Sequence, residues 1–209
     1  FKVGRDSFMP GKYSLNRILF SSNGYPYDQI VFSLKKDQFR LSSFYLSLDN
    51  YPIKSVTYSM NDTTRHINGA RLSLEHKKGY FAVNQLILYG GENKSIKPEL
   101  FNPFIPYYIY QEQKEFASNF IFSLEYYYKN NGFEIFSEFI LDDFQIEKKT
   151  SSDLEPTEFG LLVNITKKIN PKYVFSMDYV LIANRTFNVG KYLHEKFLYK
   201  YFPIGHYLG

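Results

Sequence analysis

The stretch NFIFSLEYYYKNNGFEIFSEFILDDFQ, residues 119–145, decides the fold class because its residue types alternate on both sides of a turn sequence. Every second residue from Phe120 to Tyr128, and again from Phe133 to Leu141, is apolar or aromatic apart from Ser137. A period of two is that of a β-strand, and Asn-Asn-Gly between two such runs favours a tight hairpin turn. The positions between them include three carboxylates, Glu125, Glu134 and Glu138. One face of the predicted hairpin is therefore aromatic and the other acidic.

The composition of the 209-residue chain favours a sheet protein and excludes several kinds of site. Aromatic residues make up 20% of the chain, with 21 Phe, 20 Tyr and no Trp, and Phe and Tyr favour strands. The absence of cysteine excludes a disulfide framework and a thiolate metal site. The net charge of +4 is scattered along the chain, so no basic stripe for nucleic acid is expected. No run approaches the about 18 apolar residues of a membrane-spanning helix.

Strand-like runs separated by turn residues cover most of the chain, and no strong helical periodicity is found. Tight turns are predicted at KKDQ, HKKG, KNNG and KINP, and long loops alternate with them. Runs such as KYVFSMDYVLIAN reach the about 9–11 residues that a tilted strand needs to cross a bilayer. The predicted strands are residues 1–5, 27–36, 38–48, 65–77, 80–89, 119–129, 132–141, 158–167, 172–184 and 196–202.

This pattern predicts an all-β fold, an antiparallel transmembrane β-barrel with roughly 10–12 strands in residues 1–209. We expect those residues to form one outer-membrane barrel domain that is truncated at both ends. The apolar stripe of each strand would face lipid, and the charged stripe would line a polar lumen. The residues expected to face the lumen are Arg71, Glu75, Glu125, Glu134, Glu138 and Asp178. A soluble antiparallel sheet with one polar face shows the same alternation and stays open as an alternative.

Several loop and strand motifs resemble the capsule assembly Wzi-like outer-membrane family. They are VGRDSFMPGKYSLNRILFSSNGYPYDQI, HINGARLSLEH followed by FAVNQLILYGG, then NPFIPYY, SEFILDDFQ and PIGHYLG, in the order that the family has them. The resemblance implies an outer-membrane β-barrel, and some family members bind polysaccharide and help to hold capsule at the cell surface. Two positions depart from the family pattern, Gln85 in place of Glu and Tyr207 in place of Trp.

Two groups of residues are candidates for ligand contacts. The first is the acidic rim Asp142, Asp143 and Gln145, because paired carboxylates bind sugar hydroxyls and hard cations. Its alternative is that the two aspartates end a strand and order a loop through hydrogen bonds to the backbone. The second is Tyr107 and Tyr108, in a Pro-rich aromatic segment that could stack on sugars, constrict a lumen or simply pack against the barrel wall.

Arg5 and His206 complete the candidate ligand-binding residues. We expect Arg5 to point into the lumen and pair with a carboxylate, and His206 to hydrogen-bond a backbone carbonyl. The other histidines, His66, His76 and His194, share no metal-ligand spacing, so no metal site and no cofactor are expected.

The sequence favours a non-enzymatic protein, because no nucleophile and base are brought together. The predicted function is that of an outer-membrane β-barrel, in the bacterial outer membrane, associated with binding or assembly of capsular or other surface polysaccharide. The expected partners are outer-membrane lipid and capsular or exopolysaccharide, and no nucleic acid. A passive pore for small solutes and a soluble all-β carbohydrate-binding domain remain the alternatives.

Overall fold

The computed structural model describes residues 1–11, 16–22, 24–49, 63–92, 95–114, 118–143, 158–184, 186–187 and 196–206. The prediction of an all-β, antiparallel protein is confirmed, since strands dominate these ranges. The described ranges contain no helix with both the length and the apolar character needed to cross a membrane.

A single antiparallel sheet of nine strands dominates the structure, and each strand pairs with its neighbours in sequence. The order across the sheet is therefore the order along the chain, as in a series of hairpins. The strands are β1 (Lys2–Asp6), β2 (Tyr27–Lys36), β3 (Phe39–Leu48), β4 (Thr63–His76), β5 (Gly79–Glu92), β6 (Ser118–Asn130), β7 (Phe133–Asp143), β8 (Glu158–Asn170) and β9 (Tyr173–Ile182). A separate hairpin consists of β10 (Leu198–Tyr199) and β11 (Phe202–Pro203).

The four predicted tight turns join β2 to β3, β4 to β5, β6 to β7 and β8 to β9. The turn between β6 and β7 shows the physical reason. Asn131 has φ of 46° and Gly132 has φ of 73°, the pair of positive values that a type I′ turn requires and that Asn and Gly adopt at least cost. Lys129 and Glu134 meet in an ion pair beside this turn.

The structure differs from the prediction of a barrel, because the sheet is open. In the described ranges, β1 pairs only with β2 and β9 pairs only with β8, so each is an edge strand. The connection between β5 and β6 also differs from the prediction of a purely β chain. It contains a 3₁₀ turn, Pro98–Phe101, and the short helix α1, Tyr107–Lys114. The first four residues of the helix are aromatic or aliphatic and its last four are polar, so the sequence shows no apolar stripe along one side of the helix.

Two contacts of the connection between β1 and β2 show that the sheet is curled. The side-chain amide of Asn16 donates to Asp178 of β9 at 2.7 Å, and the ring centroid of Phe20 lies 6.1 Å from that of Phe44 in β3. In a flat sheet these two strands would lie about 29 Å apart. The five residues from 16 to 20 span at most about 14 Å between their first and last Cα atoms. The sheet therefore curls around residues 16–22, which we call the inner segment; the face that meets them is the inner face.

The main hydrophobic core lies on the inner face, between the sheet and the inner segment. Ile18, Leu19 and Phe20 are buried there against apolar residues of β3 to β8. Residues of the C-terminal region pack on the same core, among them Phe197 and Ile204. Two backbone hydrogen bonds join the inner segment to this C-terminal region. Ser21 donates its N–H to the Ile204 carbonyl, and His206 donates its N–H to the Ile18 carbonyl.

The packing of Phe44 depends on the absence of a side chain opposite it. Gly69 faces Phe44 in the register of β3 and β4, and a Cβ at position 69 would lie 2.0 Å from Cζ of the ring. The ring can lie flat on the backbone of β4 only because residue 69 is glycine. From there it contacts Phe8, at 4.6 Å between ring centroids, as well as Phe20.

We predict that Gly69→Ala lowers the free energy of unfolding by about 1–3 kcal/mol, because the added methyl group displaces the Phe44 ring from a packed core. Chemical denaturation followed by circular dichroism measures the change. Gly24→Ala is the control, since its nearest atoms lie at an ordinary 3.4 Å and little change is expected. Phe44→Leu in the Gly69→Ala background should recover part of the loss. An alanine variant as stable as the parent would contradict this account of the core.

Candidate functional site

The inner face bears the charged residues that the sequence assigned to a lumen. Strand alternation and register place Arg71, Glu75, Glu125, Glu134, Glu138 and Asp178 on this one face. Within the curled sheet they fall into four groups: a buried cluster on β4 to β7, Glu75 at the turn end of β4, Glu134 beside the turn between β6 and β7, and Asp178 near the β9 edge.

The buried cluster forms around two carboxylates that face each other. Glu125 and Glu138 are directly opposite in the register of β6 and β7, and both side chains are fully buried. Like charges in such a pair destabilise a sheet unless a cation lies between them. Arg17 of the inner segment supplies that cation, with Nη2 at 2.5 Å from Glu125 Oε1 and 3.7 Å from Glu138 Oε1.

The remaining oxygens of the two carboxylates bind neighbouring donors. Glu125 accepts from Arg71 Nη1 at 2.6 Å, from Asn84 Nδ2 at 2.9 Å and from the Tyr80 hydroxyl at 3.1 Å. Glu138 accepts from the backbone N–H of Ile18 at 2.5 Å. Two arginines and two glutamates therefore share one buried network whose formal charge is zero, and this network fixes the inner segment to the sheet.

A cavity of about 370 Å³ lies beside this cluster, between residues 7–11 and the inner face of β2 to β5. Lys2, Arg40 and Arg71 bring positive charge to its lining, and Glu75 brings one carboxylate. Ser33 and Ser42 add hydroxyl groups, while rings such as Phe44 and Tyr80 form an apolar side. Its volume lies at the lower end of the range for small-ligand sites, and its mixed lining suits a polar molecule with an apolar face.

Three of the inner-face carboxylates outside the buried cluster have partners of their own. Glu75 pairs with Arg40 at 2.8 Å and with Lys35 at 3.2 Å. Glu134 pairs with Lys129 near the turn. Asp178 accepts from Asn164 at 2.6 Å and from Asn16 at 2.7 Å. In the described ranges, no three His, Asp or Glu side chains converge as ligands for a metal ion.

The acidic rim has a structural role where it is described. Asp142 is buried and accepts the backbone N–H of Phe187, which orders the chain after β9. Asp142 therefore has the loop-ordering role that was the alternative to contact with a sugar or a cation. Asp143 ends β7 and pairs through its backbone with Glu158. Gln145 lies outside the described residues.

The structure corrects the expectation for Arg5. Its guanidinium binds both oxygens of Asp28, at 2.8 and 2.6 Å, so the predicted carboxylate partner exists. The register of β1 and β2 places this exposed pair on the outer face, however, and Arg5 does not point to the interior. His206 lies on the inner side instead, where burial lowers its pKa against the opposing effect of Asp178.

The aromatic segment with Tyr107 and Tyr108 packs on the outer face, not inside. Tyr107 is fully buried, and its hydroxyl donates to the Leu100 carbonyl at 2.6 Å. Tyr108 lies against Phe120 of β6, with 5.9 Å between ring centroids. Of the three roles considered for this segment, the structure shows packing against the sheet. Tyr107 is buried by this packing and has no surface that could contact a sugar.

Between the strand ends, the part of the outer face that this segment leaves uncovered is mainly apolar. One register row runs through eight strands, and every residue in it is apolar: Leu34, Leu41, Leu72, Val83, Leu124, Phe139, Leu161 and Leu181. We call this row, with the neighbouring outer residues Phe32, Leu74, Phe81, Phe122, Ile135, Val163, Phe175, Met177 and Tyr179, the outer belt. No second layer of described residues covers it, and Leu34 and Phe175 are 57% and 54% exposed.

Charged side chains on the described outer face of the strands lie only near the strand ends. Arg5 and Asp28 mark the end near the long loops. Lys36 and Lys167 mark the end near the tight turns. The belt between them contains no charged residue among those described.

Arg17 is the functional residue that sequence reasoning missed. It lies in a long connection without periodicity, so no strand pattern indicated its direction. The only signal was the order Arg-Ile-Leu-Phe, residues 17–20, in which a cation precedes the only run of three aliphatic or aromatic residues in that connection.

Comparison of the chain with family models, with curated proteins and with solved structures gives no match. The resemblance to the Wzi-like family therefore stays a prediction from short motifs.

We predict that Arg17→Met destabilises the protein by about 3–5 kcal/mol, because it leaves two buried carboxylates facing each other without their cation. It should also open the inner segment, residues 16–22, to limited proteolysis. Adding Glu138→Gln should restore much of the stability, since an amide oxygen can still accept from Ile18 while the repulsion disappears.

Lys129→Met is the matched control, because it removes a cation from an exposed ion pair on the same hairpin. Little change in stability is expected there. If Arg17→Met and Lys129→Met have equal effects, the buried network is not what holds the inner segment.

Proposed function

We propose that this chain forms part of the wall of a β-barrel in the bacterial outer membrane, with its outer belt against lipid. The observation that supports this most directly is the apolar register row through eight strands. A soluble protein has no reason to expose such a continuous surface, which in water would favour aggregation. In hydrocarbon the same surface costs nothing.

The lengths of the apolar stripes support the same location. On β7 the outer residues from Phe133 to Leu141, and on β9 those from Tyr173 to Leu181, contain no charge. Each stripe covers nine residues, within the about 9–11 that a tilted strand needs to cross a bilayer. The charged register row next to the belt, with Lys35, Arg40, Glu125 and Glu138, points to the opposite face. Its reversal would put charges into hydrocarbon at about 2–4 kcal/mol for each Lys or Arg at mid-membrane.

We propose further that the protein acts in binding or assembly of surface polysaccharide rather than in catalysis. The motif resemblance supports this, and so does the inner-face cavity. Its hydroxyls and the Gln29 amide can bind sugar hydroxyls, and its aromatic rings can cover the apolar face of a sugar. Lys2 and Arg40 of the lining, which pair with Asp6 and Glu75, can also donate hydrogen bonds to the carboxylate of an acidic sugar unit.

Single-tryptophan variants test the membrane location, because the chain has no Trp of its own. Phe175→Trp and Val174→Trp form a matched pair, since the two residues are neighbours on β9, are 54% and 61% exposed, and point to opposite faces. We expect lipids brominated on their acyl chains to quench most of the fluorescence of Phe175→Trp and much less of that of Val174→Trp.

Equal quenching of the two variants, or none, would contradict the proposal. A chain that stays monodisperse without detergent would favour the soluble carbohydrate-binding domain instead.

Binding of surface polysaccharide, purified from the cells that make the protein, tests the second part. We expect saturable binding to the protein in lipid discs, weakened several-fold by Arg40→Gln, which removes a cation from the cavity. Lys36→Gln, a charge on the outer face, should leave binding unchanged. Absence of binding by protein that passes the tryptophan test would reject the polysaccharide role, and steady conductance in planar bilayers would then favour the passive pore.

A further inference from the structure

The connection between β5 and β6 dips along the outer wall and returns. Its first leg is near the loop end of β5, where the Lys97 backbone N–H donates to the Tyr89 hydroxyl at 3.2 Å. Its second leg ends in the same register row, where Gln111 donates to the Ser118 carbonyl at 2.8 Å. Between them the chain reaches Gln85, four residues and about 13 Å farther down β5. We call residues 100–109, LFNPFIPYYI, the dip.

The dip covers the polar part of the outer face. Gln85 and Ser43 lie in one register row with Ala70, directly beside the fully apolar row of the belt. Gln85 donates to the Ile105 carbonyl at 2.9 Å and accepts the Tyr107 backbone N–H at 3.1 Å. Ser43 donates to the Phe101 carbonyl at 2.8 Å. Polar side chains on the wall are thus bound to the dip rather than left to face its surroundings.

Several backbone N–H groups of the dip form hydrogen bonds within the connection itself. The backbone N–H groups of Asn102 and Ile105 donate to carbonyls three residues earlier, and that of Phe104 donates to the Asn102 side chain at 3.1 Å. Pro103 and Pro106 have no N–H to place. Non-strand backbone at membrane depth is tolerated only when its polar groups are satisfied in this way.

The outward side of the dip is uncharged and mainly apolar, with Asn102 as its exposed polar residue, while its flanks are charged. Phe104 at the tip is 78% exposed, and Ile109 is 48% exposed. The dip itself contains no charged residue, whereas Lys97 and Glu99 precede it and Glu112 and Lys114 follow it. Apolar groups at the tip with charges on both legs match the gradient from acyl chains to headgroups.

The length of the uncovered apolar stripe on each strand also supports contact between the dip and lipid. On β7 and β9 the apolar outer stripe covers nine residues. On β4 and β5 it is reduced to Leu72 and Leu74 and to Phe81 and Val83, because the dip covers the rest. One bilayer must meet all strands of one curled sheet over a similar height. Above β4 and β5, the surface available to continue the belt is the dip.

We propose that residues 100–109 are a re-entrant, lipid-facing element of the outer wall, with Phe104 and Ile109 inserted among the acyl chains near the bilayer interface. This inference rests on the proposed membrane location and adds its partner, the lipid interface, to a connection that would otherwise be taken for an external loop. The dip completes the apolar belt where the strands beneath it are polar.

Phe104→Trp in the full chain, reconstituted in lipid vesicles, tests the inference. Lipids brominated near the headgroup end of the acyl chain are expected to quench most of its fluorescence, and its emission should shift to shorter wavelength than that of Tyr201→Trp. Tyr201 is the matched control, because it is 66% exposed but belongs to the inner-side region 196–206. Ile109→Trp repeats the test should Phe104→Trp fold poorly.

The outcomes distinguish the inference from the proposed function. Quenching of Phe175→Trp without quenching of Phe104→Trp or Ile109→Trp would overturn the inference and leave the membrane location intact. Absence of quenching at Phe175 as well would overturn both. Strong aqueous quenching of Phe104→Trp by iodide, equal to that of Tyr201→Trp, would also reject a lipid-facing dip.

Discussion

The structure depends on two buried carboxylates that repel each other and would destabilise any sheet without a cation between them. Glu125 and Glu138 face each other across β6 and β7 with no access to water. Their repulsion makes a buried cation necessary, and Arg17 meets this need from a connection more than 100 residues earlier in the chain. Once Arg17 is in place, the apolar residues that follow it have only the interior of the curled sheet to enter. The charge pair thus determines where the core forms.

The two faces of the sheet follow different physical rules as a result. On the inner face charges are numerous, and each buried one among the described residues has a partner. A partner is the condition for burying a charge. On the outer face, the strands between their ends have no charges to pair. Gln85 and Ser43 lie under the dip, which binds their side chains. Over most of the sheet's height, the exposed part of the outer face is therefore uncharged and mainly apolar.

Local patterns were sufficient to predict the strands and the turns, because a period of two and an Asn-Gly turn act over a few residues. The prediction for β2 matches its observed bounds, and the hairpin of β6 and β7 forms around Asn131 and Gly132 as expected. The place of Arg17 and the side on which Tyr107 packs could not be predicted in this way. Both depend on contacts between distant parts of the chain, made by segments without periodicity. Arg5 was misplaced for a simpler reason, since a five-residue strand gives too little alternation to fix its face.

A lipid environment places a further demand on the edges of the sheet. The ten residues of β9 and the five of β1 each have one side that pairs with no described strand. In water the backbone groups of such edges bind water or pair with another chain. In hydrocarbon each unpaired backbone group costs several kcal/mol. Under the proposed lipid location, the open edges require other strands, from this polypeptide or from another, to pair with β1 and β9. The proposed membrane location therefore carries a second requirement, partner strands for β1 and β9, that the apolar belt alone does not meet.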